Sequence, residues 1–101
     1  MLLYNITVNV QHDVEQEWIT WMKTKHIPDV METGLFKEYK FLRLLIEDDS
    51  GGTNYSIQFF AEEMSQINQY LELHAPALRT SHENRFKNKQ TSFRTLLEEV
   101  K

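Results

Sequence analysis

Cysteine is absent from this sequence of 101 residues. Without thiols the chain has no disulfide framework, no thiolate nucleophile and no cysteine metal ligand, so a cytoplasmic location is the one we expect. Any metal site would have to use histidine and carboxylates. The histidines show no ligand spacing, because His82 stands two helical turns after His74 and the two cannot chelate from one turn. We therefore predict neither a metal site nor a bound cofactor.

Long hydrophobic runs and a surplus of positive charge are also missing. The apolar beginning of the chain is broken by Asn5, Thr7 and Asn9 and carries no basic region, so it predicts neither a signal peptide nor a membrane span. Eleven basic residues against fifteen acidic ones give a net charge of −4, which repels a phosphate backbone. We expect no nucleic-acid partner and no membrane partner.

Alternation of apolar and polar residues is the main structural signal that is present. It predicts half-buried strands over residues 4–10, 53–61 and 90–100. A mixed apolar run over residues 38–47 predicts one more strand, and the turn at 48–52 joins it to the following strand as a hairpin. The hydrophobic content of 41% is enough for one core, so residues 1–101 are predicted to form a single domain.

Two helices are predicted in the intervals between these strands. The first begins near Asp13 and carries Trp18 and Trp21 on its apolar stripe, which is more typical of a core than of an aromatic pocket. The second begins near Glu62. Each helix contains a proline, which disfavours helical geometry in the residue before it, so a break or kink is expected at Ile27 and again at Pro76.

The two halves of the chain repeat each other. Matching pairs are Tyr4-Asn5-Ile6 with Tyr55-Ser56-Ile57, residues 42–47 with 93–98, and His26-x-Pro28 with His74-x-Pro76. The order strand, helix, strand, strand, helix, strand with an internal duplication is that of the ferredoxin-like βαββαβ fold. We predict an α+β domain in which a four-stranded antiparallel sheet carries two kinked helices on one face.

Several segments resemble a known family. They are the opening strand at 4–10, the segment 18–30 with Trp18, Trp21 and His26-Ile27-Pro28, and His74-Ala75-Pro76-Ala77-Leu78 with Arg85-Phe86 and residues 93–97. Over almost the whole chain these residues resemble a bacterial family of short proteins known as a domain of unknown function. That family is similar to the dimeric α/β barrels, in which two ferredoxin-like subunits pack sheet against sheet. The resemblance implies a homodimer and brings no activity.

Polar residues of the sheet are the first candidate site. If Tyr4 and Ile6 face the helices, the opposite face is expected to carry Asn5, Asn9, Gln58, Arg43 and Arg94, the last two at equivalent positions of the repeat. Paired arginines can bind the carboxylate of a small molecule. The alternative is that both arginines form structural ion pairs with glutamates.

The histidines of the repeat are the second candidate. His26 and His74 have the acid–base character of a catalytic group or ligand. The alternative is that the repeated His-x-Pro ends a helix in both halves, with the imidazole on free carbonyl groups. Arg79, His82 and Arg85 follow the second copy alone, so any asymmetry of function is expected there.

Three functions are compatible with these patterns. The first is a small-ligand-binding homodimer that uses Asn5, Asn9, Arg43, Gln58, His74 and Arg94. The second is an enzyme of the dimeric α/β-barrel type, a cofactor-poor monooxygenase or a haem-handling protein with Asn5 or Asn9 and His74 in its site. The third is an RNA-binding module, which the lack of basic residues and glycine in residues 54–60 disfavours. Catalytic residues, and whether the protein is an enzyme at all, stay open.

Overall fold

A four-stranded antiparallel sheet forms the centre of the protein in its computed structural model, which describes residues 1–46 and 51–101. The strands are β1 (Leu2–Gln11), β2 (Glu38–Arg43), β3 (Gly52–Ala61) and β4 (Gln90–Glu98), in the order β2-β3-β1-β4. This order and the helices on one face confirm the predicted ferredoxin-like fold. The second strand ends at Arg43, earlier than predicted, and residues 47–50 of the predicted strand end and turn lie outside the described residues.

The two predicted kinked helices are each divided into shorter pieces. The first consists of α1 (Glu15–Trp21), a π-helical segment (Met22–His26) and α2 (Ile27–Met31). The division falls at the predicted place, but a wider π turn takes the place of a full break. The chain stays helical at Ile27, and Pro28 lies in the first turn of α2, where its missing N–H is not needed.

The second helical segment is also interrupted, two residues before the predicted position at Pro76. It consists of α3 (Met64–Leu73) and α4 (Ala75–Arg85), and His74 lies at the junction with a non-helical φ of −120°. A capping box formed by Glu63 and Gln66 begins α3, so two of the unpaired N–H groups at this helix start are bonded.

The core lies between the helices and one face of the central strands. Trp18 is fully buried there and Trp21 partly buried, which confirms the prediction that they belong to the core. The sheet contributes alternate residues of β1 and β3, namely Tyr4, Ile6, Val8, Val10, Tyr55, Ile57, Phe59 and Ala61. We refer to this side as the helix face and to the opposite side as the open face.

The strand register places the two candidate arginines on the helix face. Arg94 lies opposite Ile6, and Arg43 lies opposite Tyr55. Residues directly opposite each other in an antiparallel ladder point to the same side of the sheet. The expectation that both arginines share a face with Asn5 is therefore wrong. β2 and β4 are edge strands whose apolar residues occur on both sides, so their pattern does not show which residues face the core.

Candidate functional site

Two arginines converge on one buried hydroxyl group on the helix face. The Tyr4 hydroxyl accepts a hydrogen bond from Arg79 Nη2 at 3.2 Å and another from Arg94 Nε at 3.1 Å. The tyrosine is supplied by β1, Arg79 by α4 and Arg94 by β4. Tyr4 is only 2% exposed, and both arginines are half-buried. We call Arg79 and Arg94 the arginine pair.

The positive charge of this pair is not balanced by acidic side chains. Among residues 1–46 and 51–101, no carboxylate lies within 4.0 Å of either guanidinium, so neither arginine forms an ion pair within this part of the chain. In the same residues the buried Nε of Arg79 has no hydrogen-bond partner. Two cations close together in a partly buried place repel each other, and a bound anion would relieve that repulsion.

Two histidines and two tryptophans are packed beside the arginine pair. Trp18 Nε1 donates a hydrogen bond to His82 Nε2 at 2.9 Å, so His82 is the acceptor. The ring of Trp21 lies 5.3 Å from that of His26 and 5.6 Å from that of His82, and the two imidazoles are 5.2 Å apart. We call His26 and His82 the imidazole pair.

Both members of the imidazole pair are uncharged at neutral pH. Burial lowers the pKa of His26 to about 4 and that of His82 to about 3, and the positive charge of Arg94 acts in the same direction. The alternative that His26 ends a helix is wrong, because it lies within continuous helical structure and is only 5% exposed. The two copies of His-x-Pro therefore have different surroundings.

His74 is connected to the arginine pair through tyrosine rings. Its ring stacks on Tyr70 at 6.3 Å, and the Tyr70 ring lies 5.5 Å from that of Tyr4. Burial raises the pKa of Tyr70, which keeps this hydroxyl protonated. His74 and Arg94, both predicted from the sequence, are thus connected through two tyrosines.

A surface cavity leads to Arg94. It has a volume of about 480 Å³ and lies between the end of α4 and β4. Its walls include two cations, Lys87 and Arg94, one carboxylate, Glu83, and the polar residues Asn84, Gln90 and Ser92. Among the described residues, the buried Oε1 of Gln90 accepts no hydrogen bond. The cavity gives a small molecule access to a guanidinium donor and to a free acceptor.

The predicted asparagines are on the open face, away from His74. Ser56 donates to Asn5 Oδ1 at 2.6 Å, and Asn9 donates to Asn54 Oδ1 at 3.0 Å. Gln58 lies opposite Asn5 in the β1–β3 ladder. Because the sheet separates this row from His74, the structure does not bring together the asparagine and histidine that the haem-handling interpretation requires.

Arg43 occupies a third place, near the beginning of α1. Its Nε donates to the Tyr55 hydroxyl at 3.3 Å, and that hydroxyl in turn donates to Glu15. The six candidate ligand-binding residues are therefore distributed over three places rather than one. Within the described ranges, no group of three histidines or carboxylates is placed to hold a metal ion, and no helix is long and apolar enough to cross a membrane.

Sequence reasoning missed Tyr4 as a ligand of guanidinium groups and missed that His26 pairs with His82. Tyr4 was expected only as a core residue of the first strand. The sequence did contain a signal for Arg79 and His82, because these two residues follow the second His-x-Pro and have no counterpart after the first. Arg85, the third residue of that group, lies outside the site and forms an ion pair with Glu17 at 2.6 Å.

Comparison with known proteins gives a family and a fold. The model of a family described as a domain of unknown function, DUF4286, matches residues 1–100. No curated protein matches this sequence.

Solved structures with the same fold are similar in shape and remote in sequence. A protein of the EthD family, whose name refers to ethyl tert-butyl ether, from Bacillus halodurans superposes with a TM-score of 0.67 at 14% identity, over 99% of this chain and 100% of that one. SnoaB, a cofactor-independent oxygenase from Streptomyces nogalater, gives 0.67 at 13% over 99% and 94%. An antibiotic biosynthesis monooxygenase gives 0.63 at 10%, with both chains fully covered. At these identities the likeness shows the ferredoxin-like fold alone.

Proposed function

Since this chain belongs to the DUF4286 family, whose description names no activity, we propose a function from its own site: it binds a small anionic molecule, such as a carboxylate, between the helices and the sheet. The observation that carries the proposal is the arginine pair on the Tyr4 hydroxyl, without a carboxylate partner in the described residues. Guanidinium groups bind carboxylates through two parallel hydrogen bonds, and burial strengthens that contact. The cavity at Arg94 supplies the entrance.

Calorimetric titration of the protein with small carboxylates and with inorganic phosphate tests this proposal. A ligand present at about one hundred times its Kd should stabilise the fold by about 3 kcal/mol, which is visible as a rise in Tm. Arg94→Gln and Arg79→Gln should each weaken binding by about tenfold or more, since each removes a charged hydrogen bond.

Arg85→Gln is the matched control for these variants. It removes one positive charge from the same helix, but Arg85 is paired with Glu17 and lies outside the site. Its affinity for the ligand should equal that of the unmodified protein. Equal losses in all three variants, or saturable binding that Arg94→Gln leaves intact, would contradict the proposal.

The proposal includes a homodimer formed through the open face. Large apolar side chains on this face are exposed on both edge strands, with Phe93 63% exposed and Leu97 and Leu42 more than 40% exposed. The central row bonds internally, Ser56 to Asn5 and Asn9 to Asn54, so a second copy can cover it at little cost in lost hydrogen bonds to water. A second copy of this chain presents the same exposed apolar edges around a polar centre, so its open face is the partner that we propose for this surface.

Light scattering at micromolar concentration tests the dimer. We expect the mass of two chains for the unmodified protein and of one chain for Phe93→Asp, because a buried carboxylate without a partner opposes association. Lys23→Asp, an exposed change on the helical side, is the control and should stay dimeric. The mass of one chain for the unmodified protein would contradict this part of the proposal.

A cofactor-independent oxygenase acting at the same site is the second candidate. It is favoured by the neutral imidazole pair beside Arg94 and by the description of SnoaB, a protein with the same fold. Oxygen consumption in the presence of small molecules that bind at Arg94 would support it, whereas binding without oxygen consumption would favour the first candidate. A haem titration tests the haem-handling alternative. The absence of a Soret shift would contradict that alternative, and so would a Soret shift that is the same in His74→Ala as in the unmodified protein.

A further inference from the structure

A second cavity lies at the edge of the sheet opposite the arginine pair. It has a volume of about 500 Å³ and is bounded by the beginning of α1, the residues that follow β2, and the beginning of β3. The cavity at Arg94 is lined by the end of α4 and by β4, and the two cavities share no lining residue. The proposed anion site therefore does not account for it.

A carboxylate is fixed in the wall of this second cavity. The hydroxyl of Tyr55 donates to Glu15 Oε2, and the hydroxyl of Thr53 donates to Glu15 Oε1 at 3.3 Å. The Glu15 side chain is 16% exposed, and the hydrogen bond from Tyr55 lowers its pKa, so it is negatively charged at neutral pH. Among the described residues, the ring of His12 lies 3.3 Å from Glu15 Oε1 and is largely exposed.

A guanidinium group stands on the other side of the same hydroxyl. Arg43 Nε donates to Tyr55 Oη at 3.3 Å, and the guanidinium lies over the Tyr55 ring at 5.6 Å. Among residues 1–46 and 51–101, no carboxylate lies within 4.0 Å of Arg43. Tyr55 thus holds a carboxylate and a guanidinium apart at a fixed separation, and prevents them from neutralising each other directly.

The spacing and the surroundings of these charges define a class of ligand. One negative and one positive group, separated by a single hydroxyl, are complementary to a head group that carries an ammonium beside a carboxylate. Leu44, Leu45 and Ile46 line the adjacent wall and expose apolar side chains that need cover. We propose that this cavity binds a free α-amino acid with an aliphatic side chain, its carboxylate on Arg43 and its ammonium on Glu15.

Titration with leucine and two of its analogues tests this assignment. Leucinamide lacks the carboxylate, and 4-methylpentanoate lacks the ammonium. We expect saturable binding of leucine, measured by calorimetry and by NMR shifts of residues 12–16 and 43–46, and at least tenfold weaker binding of each analogue to this cavity, because each loses one charged contact. Equal affinity for all three compounds would overturn the proposal.

Variants connect the binding to the two charged residues. Arg43→Gln should weaken leucine binding by at least tenfold, and it should fold normally because Arg43 is exposed. Glu15→Gln keeps an acceptor for Tyr55 and should weaken leucine binding while leaving the weak binding of 4-methylpentanoate unchanged. Lys37→Gln is the control, since Lys37 is an exposed cation paired with Glu62 away from both cavities. Unchanged leucine affinity in Arg43→Gln, or no saturable binding at millimolar leucine, would refute the assignment.

The anion site and the amino-acid site are tested separately by the same compounds. Binding of 4-methylpentanoate through the arginine pair would persist in Arg43→Gln and be lost in Arg94→Gln. Binding of leucine in the second cavity would show the opposite dependence. These measurements can therefore contradict one proposal and still support the other.

Discussion

The imidazole pair should make the stability of this protein strongly dependent on pH. Burial lowers the pKa of His26 to about 4 and that of His82 to about 3, against 6.5 for an unperturbed histidine. Below pH 6.5 the unfolded chain takes up protons that the folded protein does not, so the free energy of unfolding falls as the pH falls. The loss begins near pH 6.5 and is complete only below pH 3.

The magnitude follows from the size of these shifts. Between pH 8 and pH 5 each histidine should remove about 2 kcal/mol, and the pair about 4 kcal/mol. That is a large part of the stability of a domain of this size, which is about 5–15 kcal/mol. The neighbouring charges have opposite effects, since Asp29 favours protonation of His26 while Arg94 opposes protonation of both histidines.

Urea unfolding at pH 8, 7, 6 and 5 measures this dependence. With an m value of about 2 kcal/mol/M, the midpoint should fall by about 2 M over this range. His82→Gln keeps an acceptor for Trp18 Nε1 and should halve the fall, and a double variant with His26→Gln should nearly abolish it. The carboxylates with lowered pKa, Asp13 and Glu15, lose their contribution mainly below pH 5 and disturb the measurement little.

His12→Gln is the control for the pH series. His12 is an exposed histidine that interacts with Glu15. Its removal should leave the fall in the midpoint at least as large as in the unmodified protein. A midpoint that stays constant from pH 8 to pH 5, or the same fall in the double variant, would refute the conclusion that the buried imidazoles are uncharged.

Two other predictions follow from the core and the Glu15 cluster. Phe59→Ala should lower the free energy of unfolding in urea by about 3–5 kcal/mol, because the ring is fully buried. The control Leu73→Ala, at a position that is 63% exposed, should change it by less than about 1 kcal/mol. Equal effects of the two variants would contradict the assignment of the core. Tyr55→Phe should lower the free energy of unfolding by about 1–3 kcal/mol at pH 7 and raise the pKa of Glu15, measured by NMR titration of its carboxyl carbon. Because the stabilisation from a carboxylate with lowered pKa disappears at acid pH, this loss of stability should shrink below pH 4. An unchanged Glu15 titration would contradict the prediction.

The sequence alone was sufficient for the fold because the pattern of β1 and β3 is unambiguous. In both central strands apolar residues alternate with polar ones over most of the length, from Tyr4 to Val10 and from Tyr55 to Phe59, and one side is buried against the helices. The internal repeat and the two prolines then placed the helices between the strands. The burial of Trp18 also follows from its helical stripe.

Only the tertiary structure decided which residues form the site. The edge strands expose apolar residues on both sides, so the sequence could not show that Arg43 and Arg94 face the helices, and only their pairing with Tyr55 and Ile6 fixes their direction. The two copies of His-x-Pro look equivalent in the sequence, but a π turn keeps His26 buried beside His82, while His74 ends a helix. Periodicity reports which side of an element is buried, whereas contacts between distant elements, such as Arg79 and Arg94 on Tyr4, arise only when those elements are packed together.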